Sequence, residues 1–176
     1  MPTAISPGLD TVYTAVKSFI LSLLPLDNAH VVKGFPNGVA MPEGPFVAMS
    51  AMIFDPLNYP VQSFDATNPA PVAIDITQSV QVSLQLDVYG PSAADWARTL
   101  ELALRTSIAC DALAPACQPL YTNPTHRIPL VDSEQQYEDR WAIEAQIEYD
   151  PTISVTQQFA STASITLINV DETYKP

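Results

Sequence analysis

The chain is poor in basic residues, and this limits the partners that it can bind. It has 7 lysines and arginines against 19 aspartates and glutamates, which gives a formal net charge of −12 over 176 residues. All four arginines lie between Arg98 and Arg140, and the lysines, Lys17, Lys33 and Lys175, are scattered. Because nonspecific binding to nucleic acid needs a stripe of basic side chains along the phosphates, the sequence excludes a protein of that kind.

Cysteine and histidine are also scarce, at two residues each. Cys110 and Cys117 are seven residues apart, a spacing that matches no zinc motif, and His30 and His126 lie far from each other in the chain. A disulfide between the cysteines would close a short loop, whereas free thiols are expected in a reducing cytoplasm. We therefore predict no metal site and no cofactor.

Motifs that carry catalysis are missing from the sequence. It has no Gly-x-Ser-x-Gly elbow, no glycine-rich phosphate loop, no His-Glu-x-x-His and no Cys-x-x-Cys. We interpret His126, which follows several prolines, as a surface or interface residue rather than a catalytic base. An acidic cluster allows a divalent cation, but a solvated face before a strand is the favoured interpretation; its members are Asp132, Glu134, Glu138 and Asp139. The sequence predicts that the protein is not an enzyme.

Long hydrophobic runs are absent as well. The longest, from Phe19 to Leu24, contains Ser22 and stops at Pro25, far short of the ~20 residues that span a bilayer. The N-terminus has no basic leader, so we predict neither membrane insertion nor secretion through a signal peptide. Charged residues make up only 15% of the chain. Such a neutral surface is typical of a subunit that buries area in an assembly, although a large monomer core would also explain it.

Two segments, residues 76–89 and 140–149, alternate between apolar and polar side chains, as strands with one covered face do. Their predicted inward sets are Val80, Val82, Leu84, Leu86 and Val88 in the first and Trp141, Ile143, Ala145, Ile147 and Tyr149 in the second. Between them a helix begins at Ser92, with Asp95 in its first turn. The predicted apolar stripe of this helix is Trp96, Leu100, Ala103, Leu104 and Ser107. Trp96 and Trp141 are predicted core residues that can pack on each other.

The rest of the sequence predicts a first helix from Asp10 or Thr11 to about Leu24, a short strand near Val31, a central strand over residues 46–54 and a last strand over residues 164–170. Prolines crowd residues 55–73 and 115–129, so we expect long ordered loops there. The first is interpreted as an arm that packs on a neighbouring subunit, or alternatively as a mobile surface loop. The predicted fold is one α+β domain over residues 1–176, in which an antiparallel or mixed sheet carries two helices on one face and long Pro-rich loops join the elements.

Several of these segments carry a resemblance to a known family. The motifs are QLDVYGP at residues 85–91, ADWA at 94–97, ACDALA at 109–114, QPLY at 118–121 and PLVDSEQQYEDRW at 129–141, with FPNG at 35–38 and GPFV at 44–47 upstream. In these motifs the chain resembles the neck or tail terminator proteins of tailed bacteriophages. The resemblance implies an α+β subunit of a ring, usually sixfold, at the head–tail junction of a virion.

The resemblance also implies a role. The protein would form a homohexameric ring that caps the tail tube and joins it to the head connector, assembled in the cytoplasm of the bacterial host. Phage DNA would pass through the lumen without specific binding, since an acidic wall repels the duplex. Residues expected at contacts between subunits or with a partner are Tyr59, Phe64, Glu134, Gln135, Gln136 and Tyr137.

Two alternatives to this role stay open at this point. One is another head–tail joining or baseplate-ring subunit. The other, from a different class, is a small acidic ligand-binding domain or enzyme, which a deep polar pocket around His126 and Glu134 would favour.

Overall fold

The computed structural model of the protein describes residues 5–34, 41–64, 73–131 and 137–156. Its helices are α1 (Leu9–Leu23), α2 (Ala93–Leu104) and α3 (Ser107–Leu113). Its strands are β1 (Ile5–Ser6), β2 (Val31–Lys33), β3 (Phe46–Pro56), β4 (Val61–Phe64), β5 (Ala73–Thr77), β6 (Val80–Tyr89), β7 (Gln118–Thr122), β8 (His126–Arg127), β9 (Leu130–Val131), β10 (Tyr137–Glu138), β11 (Arg140–Tyr149) and β12 (Thr152–Thr156). The fold class is α+β, as predicted, with three helices in the described residues rather than two.

The larger sheet has six strands and carries the helices. Its order is β2-β3-β6-β11-β7, and β8 also pairs with β11. β2 and β3 run parallel, while β6 is antiparallel to both β3 and β11, so the sheet is mixed. The alternation predicted for β6 and β11 is confirmed, because their inward side chains share one hydrophobic core with the three helices. Along β6 these are Val80, Val82, Leu84, Leu86 and Val88.

The first helix follows the sequence prediction to within two residues at each end. Pro7 and Gly8 precede α1, and Pro25 follows it. Its buried stripe is Val12, Val16, Phe19 and Ile20, at the three- and four-residue spacing that places side chains on one face. Within the described ranges no helix is long and apolar enough to cross a bilayer.

The stripe predicted for the second helix is only partly correct. The residues of α2 that are buried are Ala93, Ala97, Leu100, Glu101 and Leu104. Trp96 is half-buried, and Ser107 belongs to α3. The small side chains of Ala93 and Ala97 occupy the buried face of α2, and Trp96 packs against the core from the edge of that face. Trp141 is also half-buried, and it makes no ring contact with Trp96, although both pack against the core.

A second sheet of four strands, which we call the blade, extends three strands of the larger sheet. Its order is β1-β12-β5-β4. β3 continues into β4, β5 leads into β6, and β11 continues into β12, so the same neighbours stay together across a break. At the break Leu57 donates its N–H to the carbonyl of Ser79 at 2.9 Å, and Gln78 donates to the carbonyl of Pro151 at 3.3 Å. The described helices make their main contacts with the larger sheet and with one another.

The structure differs from the sequence prediction in two of the strands. Residues 76–89 form parts of two strands, β5 and β6, separated by Gln78 and Ser79. The central strand β3 is buried only from Phe46 to Ser50, and its outer half is largely exposed beyond a bulge at Met52. The reason is that β2 pairs with residues 47–49 alone, so the outer half of β3 has a partner on one edge only.

Both proline-rich stretches contain strands where loops were predicted. β4 lies within residues 55–73, and β7 and β8 lie within residues 115–129. Pro119 is tolerated in β7 because β7 ends the order of the described sheet, where a missing N–H costs no ladder hydrogen bond. Residues 65–72 and the last predicted strand, over residues 164–170, lie outside the described residues.

Candidate assembly surfaces

The blade has one apolar and one polar face. Paired residues in a sheet share a face, and the register aligns Ile5, Ile153, Ile76 and Gln62 in one row and Val155, Ile74 and Phe64 in the next row of that face. The apolar face of the blade therefore carries one polar side chain, Gln62, and six apolar ones, which are Ile5, Phe64, Ile74, Ile76, Ile153 and Val155. On the opposite face Thr77 and Thr152 share a hydrogen bond of 2.7 Å, and Ser154 donates to Asp75.

None of the six side chains of the blade's apolar face is buried. Ile5 is 55% exposed, Phe64 49% and Val155 39%, and the three isoleucines between them are half-buried. Further exposed apolar side chains nearby are distributed over both faces of the sheets and the β3–β4 connection; they are Met52, Ile53, Phe54, Leu57, Tyr59 and Val61. Val61 pairs with Thr77 and so lies on the polar face of the blade. Taking a half-exposed large side chain as about 80–100 Å² and a half-buried one as about half of that, the six side chains of the apolar face together expose roughly 400 Å². The largest apolar patch on a typical monomer is of about this size and is often functional, so this face is a candidate contact surface.

Two predicted contact residues, Tyr59 and Phe64, belong to this region. Tyr59 is 91% exposed in the connection between β3 and β4, and Phe64 ends β4 on the apolar face. The structure thus brings Phe64 together with Val155 and Ile74, in one row of the sheet. Their role in subunit contacts remains a prediction.

The other predicted contact residues are not brought to the blade. Glu134, Gln135 and Gln136 lie outside the described residues. Tyr137 lies in β10, which pairs antiparallel with β9 so that Tyr137 stands opposite Val131. The contact role of these four residues stays a prediction from sequence.

Polar side chains form a closed network on the face of the larger sheet opposite the helices. Glu144 accepts hydrogen bonds from Ser83, from Asn123 at 2.7 Å and from Gln146 at 3.1 Å. These bonds, that of Ser83 above all, hold the pKa of Glu144 below its ordinary value of 4.5. Gln146 also donates to Ser83, and both side chains are buried. The polar side of β6 therefore points away from the helices, as predicted, yet much of it is closed to solvent because the side chains satisfy one another.

At one end of this face a row of rings and charges crosses three strands. The ring of Tyr89 stacks on Phe46 with centroids 4.3 Å apart, and the guanidinium of Arg140 lies 5.6 Å from the Tyr89 centroid. Arg140 also pairs with the buried carboxylate of Asp87 at 3.1 Å. A cleft of about 640 Å³ opens beside Phe46 and Tyr89. These contacts fix the strand ends next to the short sheet of β9 and β10.

A buried glutamate ties α2 to the segment between β7 and β8. Glu101 is 1% exposed and accepts from Arg98 at 2.9 Å and from Arg105 at 3.0 Å. The hydroxyl and the N–H of Thr125 donate to it as well, at 2.5 and 3.2 Å. Sequence reasoning missed Glu101, although arginines three residues before and four residues after a glutamate are the signal for such a helix pair.

Next to this pairing lies a second exposed surface with apolar side chains. Leu102 is 54% exposed on α2 between the two arginines, and Ile108 is 63% exposed on α3. We call Arg98, Leu102, Arg105 and Ile108 the helix-edge patch. Two guanidinium groups share the single carboxylate of Glu101 here, and two exposed carboxylates border the patch, those of Asp95 one turn before Arg98 and of Asp111 one turn after Ile108.

Of His126 and the acidic cluster, the structure describes the side chains of His126 and Asp139. His126 is exposed and lies 3.4 Å from the carbonyl of Pro124, and Asp139 pairs with Arg127. No group of three histidine, cysteine, aspartate or glutamate side chains in the described ranges is placed to hold a metal. Cys110 and Cys117 are free thiols, and burial raises the pKa of Cys117 to about 11.

A comparison with known proteins places the chain in a family. No curated protein matches it. The sequence profile of a family described as phage neck terminator protein matches residues 10–171, which include every described element from β2 onward. That family is structural rather than enzymatic, in agreement with the predicted lack of catalysis. Because the match spans most of the 176 residues, the chain belongs to the phage neck terminator protein family.

Proposed function

We propose that the protein forms a homohexameric ring that caps the tail tube and joins it to the head connector. The family implies a structural role at the neck of the virion. The observation that supports the ring is the exposed apolar face of the blade, because a contiguous apolar patch of roughly 400 Å² on a chain of this size is often a contact surface. In a closed ring each subunit uses two different surfaces, one for each neighbour. The blade, which extends beyond the larger sheet, is proposed as one of these two surfaces.

The proposed mechanism is binding rather than catalysis. Residues 1–176 act as one unit, with one ring face on the tube protein and the other on the connector. Assembly takes place in the cytoplasm of the bacterial host, and the finished ring stays in the neck. The proposed contact residues are Tyr59, Phe64, Glu134, Gln135, Gln136 and Tyr137.

The net charge of −12 supports passage of DNA through the ring without adhesion. Like charge keeps the duplex away from the wall, and the described residues offer no basic stripe to the phosphates. The expected result of a fluorescence anisotropy titration with duplex DNA at physiological salt is no binding. Binding whose affinity falls steeply with added salt would contradict this part of the proposal, because it would reveal phosphate contacts.

The capping role is tested by polymerising the tail tube protein of the same phage with and without this protein. We expect tubes of arrested length, because a bound ring blocks addition of further tube subunits. Native mass spectrometry of the free protein then asks whether six copies associate before they meet a tube. Tubes that grow to the same length with and without the protein would refute the capping role.

A further inference from the structure

We infer that protonation of His30 holds one wall of the cleft beside Phe46 and Tyr89 in place, and that loss of the proton releases this wall. The ring of His30 lies between two hydrogen-bond partners. Its Nδ1 is 2.6 Å from Oδ1 of Asp27, and its Nε2 is 3.2 Å from the backbone carbonyl oxygen of Glu43. This device is separate from the proposed ring and does not depend on it.

The two contacts together require a charged imidazole ring. A neutral ring carries one N–H group, whereas the imidazolium carries two. The partners of the His30 ring are a carboxylate and a backbone carbonyl, and both of these groups accept hydrogen bonds and cannot donate them. Only the protonated ring therefore satisfies both contacts.

Loss of the proton changes the contact with Glu43 rather than that with Asp27. The carboxylate is the stronger acceptor, so the remaining proton stays on Nδ1. The carboxylate of Asp27 is also fixed by the backbone N–H groups of Ala29, at 2.8 Å, and of His30, at 3.2 Å. The lone pair of Nε2 then faces the carbonyl oxygen of Glu43, and an attractive contact becomes a repulsive one.

The contact with Glu43 is placed to control one wall of the cleft. Residues 41–46 line this cleft of about 640 Å³, together with the end of β6, the turn that follows it and Asp139. Within the described ranges the structure shows no other hydrogen bond to residues 41–44. Gly44 has φ +84° with open space around it, so the chain can change direction there once the contact is lost.

The carboxylate of Asp27 sets the sign of the pH dependence. Its hydrogen bond above all, and its charge as well, raise the pKa of His30 above the ordinary value of 6.5. The wall is therefore held below the pKa of His30 and is released as pH rises through it.

Other charged side chains on the adjoining elements do not reverse this sign. Lys17 of α1 donates to the carbonyl of Asn28 at 2.8 Å, and Lys33 of β2 pairs with Asp10. The carboxylate of Glu43 has the same sign of charge as that of Asp27, so it also favours the imidazolium.

NMR spectroscopy of ¹⁵N-labelled protein tests the inference between about pH 5.5 and about pH 8.5. The chain has two histidines, so the variant His126→Gln leaves His30 as the source of the imidazole signals. We expect these signals to titrate above pH 6.5. The amide nitrogen of Gly44 belongs to the same peptide group as the carbonyl of Glu43, and its order parameter should fall at the same midpoint, from about 0.85 to below about 0.6.

Three substitutions separate the ring of His30 from other causes of a pH effect. His30→Gln and His126→Gln each replace a histidine by an amide that does not titrate in this range. The first should abolish the pH dependence of the Gly44 order parameter, and the second should leave it as in wild type. Asp27→Asn should move the transition to lower pH, because the charge that stabilises the imidazolium is lost.

The contrary outcomes are equally distinct. An order parameter of Gly44 that stays constant while His30 titrates would overturn the inference, because the ring would not hold the wall. A transition that persists in His30→Gln would overturn it too, since another group would then be responsible. Neither result bears on the proposed ring, which native mass spectrometry and tube capping test separately.

Discussion

Replacing Glu101 by glutamine is the substitution whose effect on stability the structure defines most fully. Glu101 is 1% exposed and accepts from Arg98, Arg105 and both donors of Thr125. Glutamine keeps the shape but loses the charge, and its amide N–H₂ faces donors where the carboxylate had an acceptor. At least one charge-assisted hydrogen bond is therefore lost and one buried donor is left without an acceptor.

The size of the effect follows from these contacts. A hydrogen bond to a charged group contributes about 1.5–3 kcal/mol. Arg98 and Arg105 are about half exposed, so water screens their share, and the lower part of this range applies. We expect the free energy of unfolding at pH 7 to fall by about 2 kcal/mol. For a chain of this length that lowers Tm by roughly 4–8 °C.

The pH dependence has a defined sign. The hydrogen bond from the Thr125 side chain, followed by weaker contributions from its N–H and from Arg98, holds the pKa of Glu101 below its ordinary value of 4.5. A carboxyl group whose pKa is lower in the folded state stabilises the fold above its unfolded pKa, and this stabilisation disappears as pH falls through the folded pKa. The difference between wild type and Glu101→Gln is therefore full at pH 7 and shrinks below pH 4.5.

Urea denaturation in steps from pH 7 to about pH 3 measures this difference. Asp111→Asn, on the exposed side of α3, is the control and should leave the free energy of unfolding within about 0.5 kcal/mol of wild type. A difference for Glu101→Gln that stays constant over the whole pH range would refute the account of this carboxylate. Equal effects of the two substitutions would do the same.

Two further predictions concern glycine and cysteine residues. Gly90 has φ +111°, and a Cβ added there would lie 2.7 Å from the Cβ of Pro45. Gly44 has φ +84°, and a Cβ added there would have no atom within 4 Å. Urea denaturation should therefore show a loss of about 1–3 kcal/mol for Gly90→Ala and a smaller loss for Gly44→Ala; the reverse order would contradict the close packing. Because burial raises the pKa of Cys117 to about 11, a thiol reagent at pH 8 should label half-buried Cys110 first and Cys117 only on unfolding. Equal labelling rates in the folded protein would show that Cys117 is accessible.

The sequence predicts well those parts of the fold in which local pattern and tertiary burial agree. β6 alternates over ten residues and β11 does so except at Ala142, and the structure pairs the two strands along their whole length. α1 shows the same agreement, since prolines bracket a stripe with helical spacing. In both cases one face of the element meets the helix-side core, so the period of apolar residues identifies that face. The burial of Ser83 and Gln146 on the other face of the sheet does not follow from this period, since it depends on their hydrogen bonds.

The parts that the sequence predicts poorly depend on partners that no local pattern reveals. Glu101 looks like a solvent-facing residue of a helix, and it is buried because Thr125, distant in sequence, completes its hydrogen bonds. The break at Gln78–Ser79 carries no glycine or proline, so residues 76–89 read as one strand. The strand β4 was not predicted, because prolines surround it in the sequence. Proline fixes φ at its own position, but a short strand can still form between two prolines.

The candidate site on the blade could also be predicted only in part from the sequence. Phe64 could be proposed as a contact residue from its aromatic side chain, but its alignment with Val155 and Ile74 follows only from the register of β4, β5 and β12. Ile108 and Leu102 were not proposed, because exposed aliphatic residues on helices resemble core residues in sequence. Their exposure becomes apparent only when the orientation of α2 and α3 is known.

The most direct test of the ring at the tube end is electron microscopy of tail tubes of the same phage incubated with the purified protein. The account predicts added density at one end of the tube only, with sixfold symmetry about the tube axis and a central channel wide enough for duplex DNA. Protein bound along the sides of the tubes, or tube ends without added density, would contradict it.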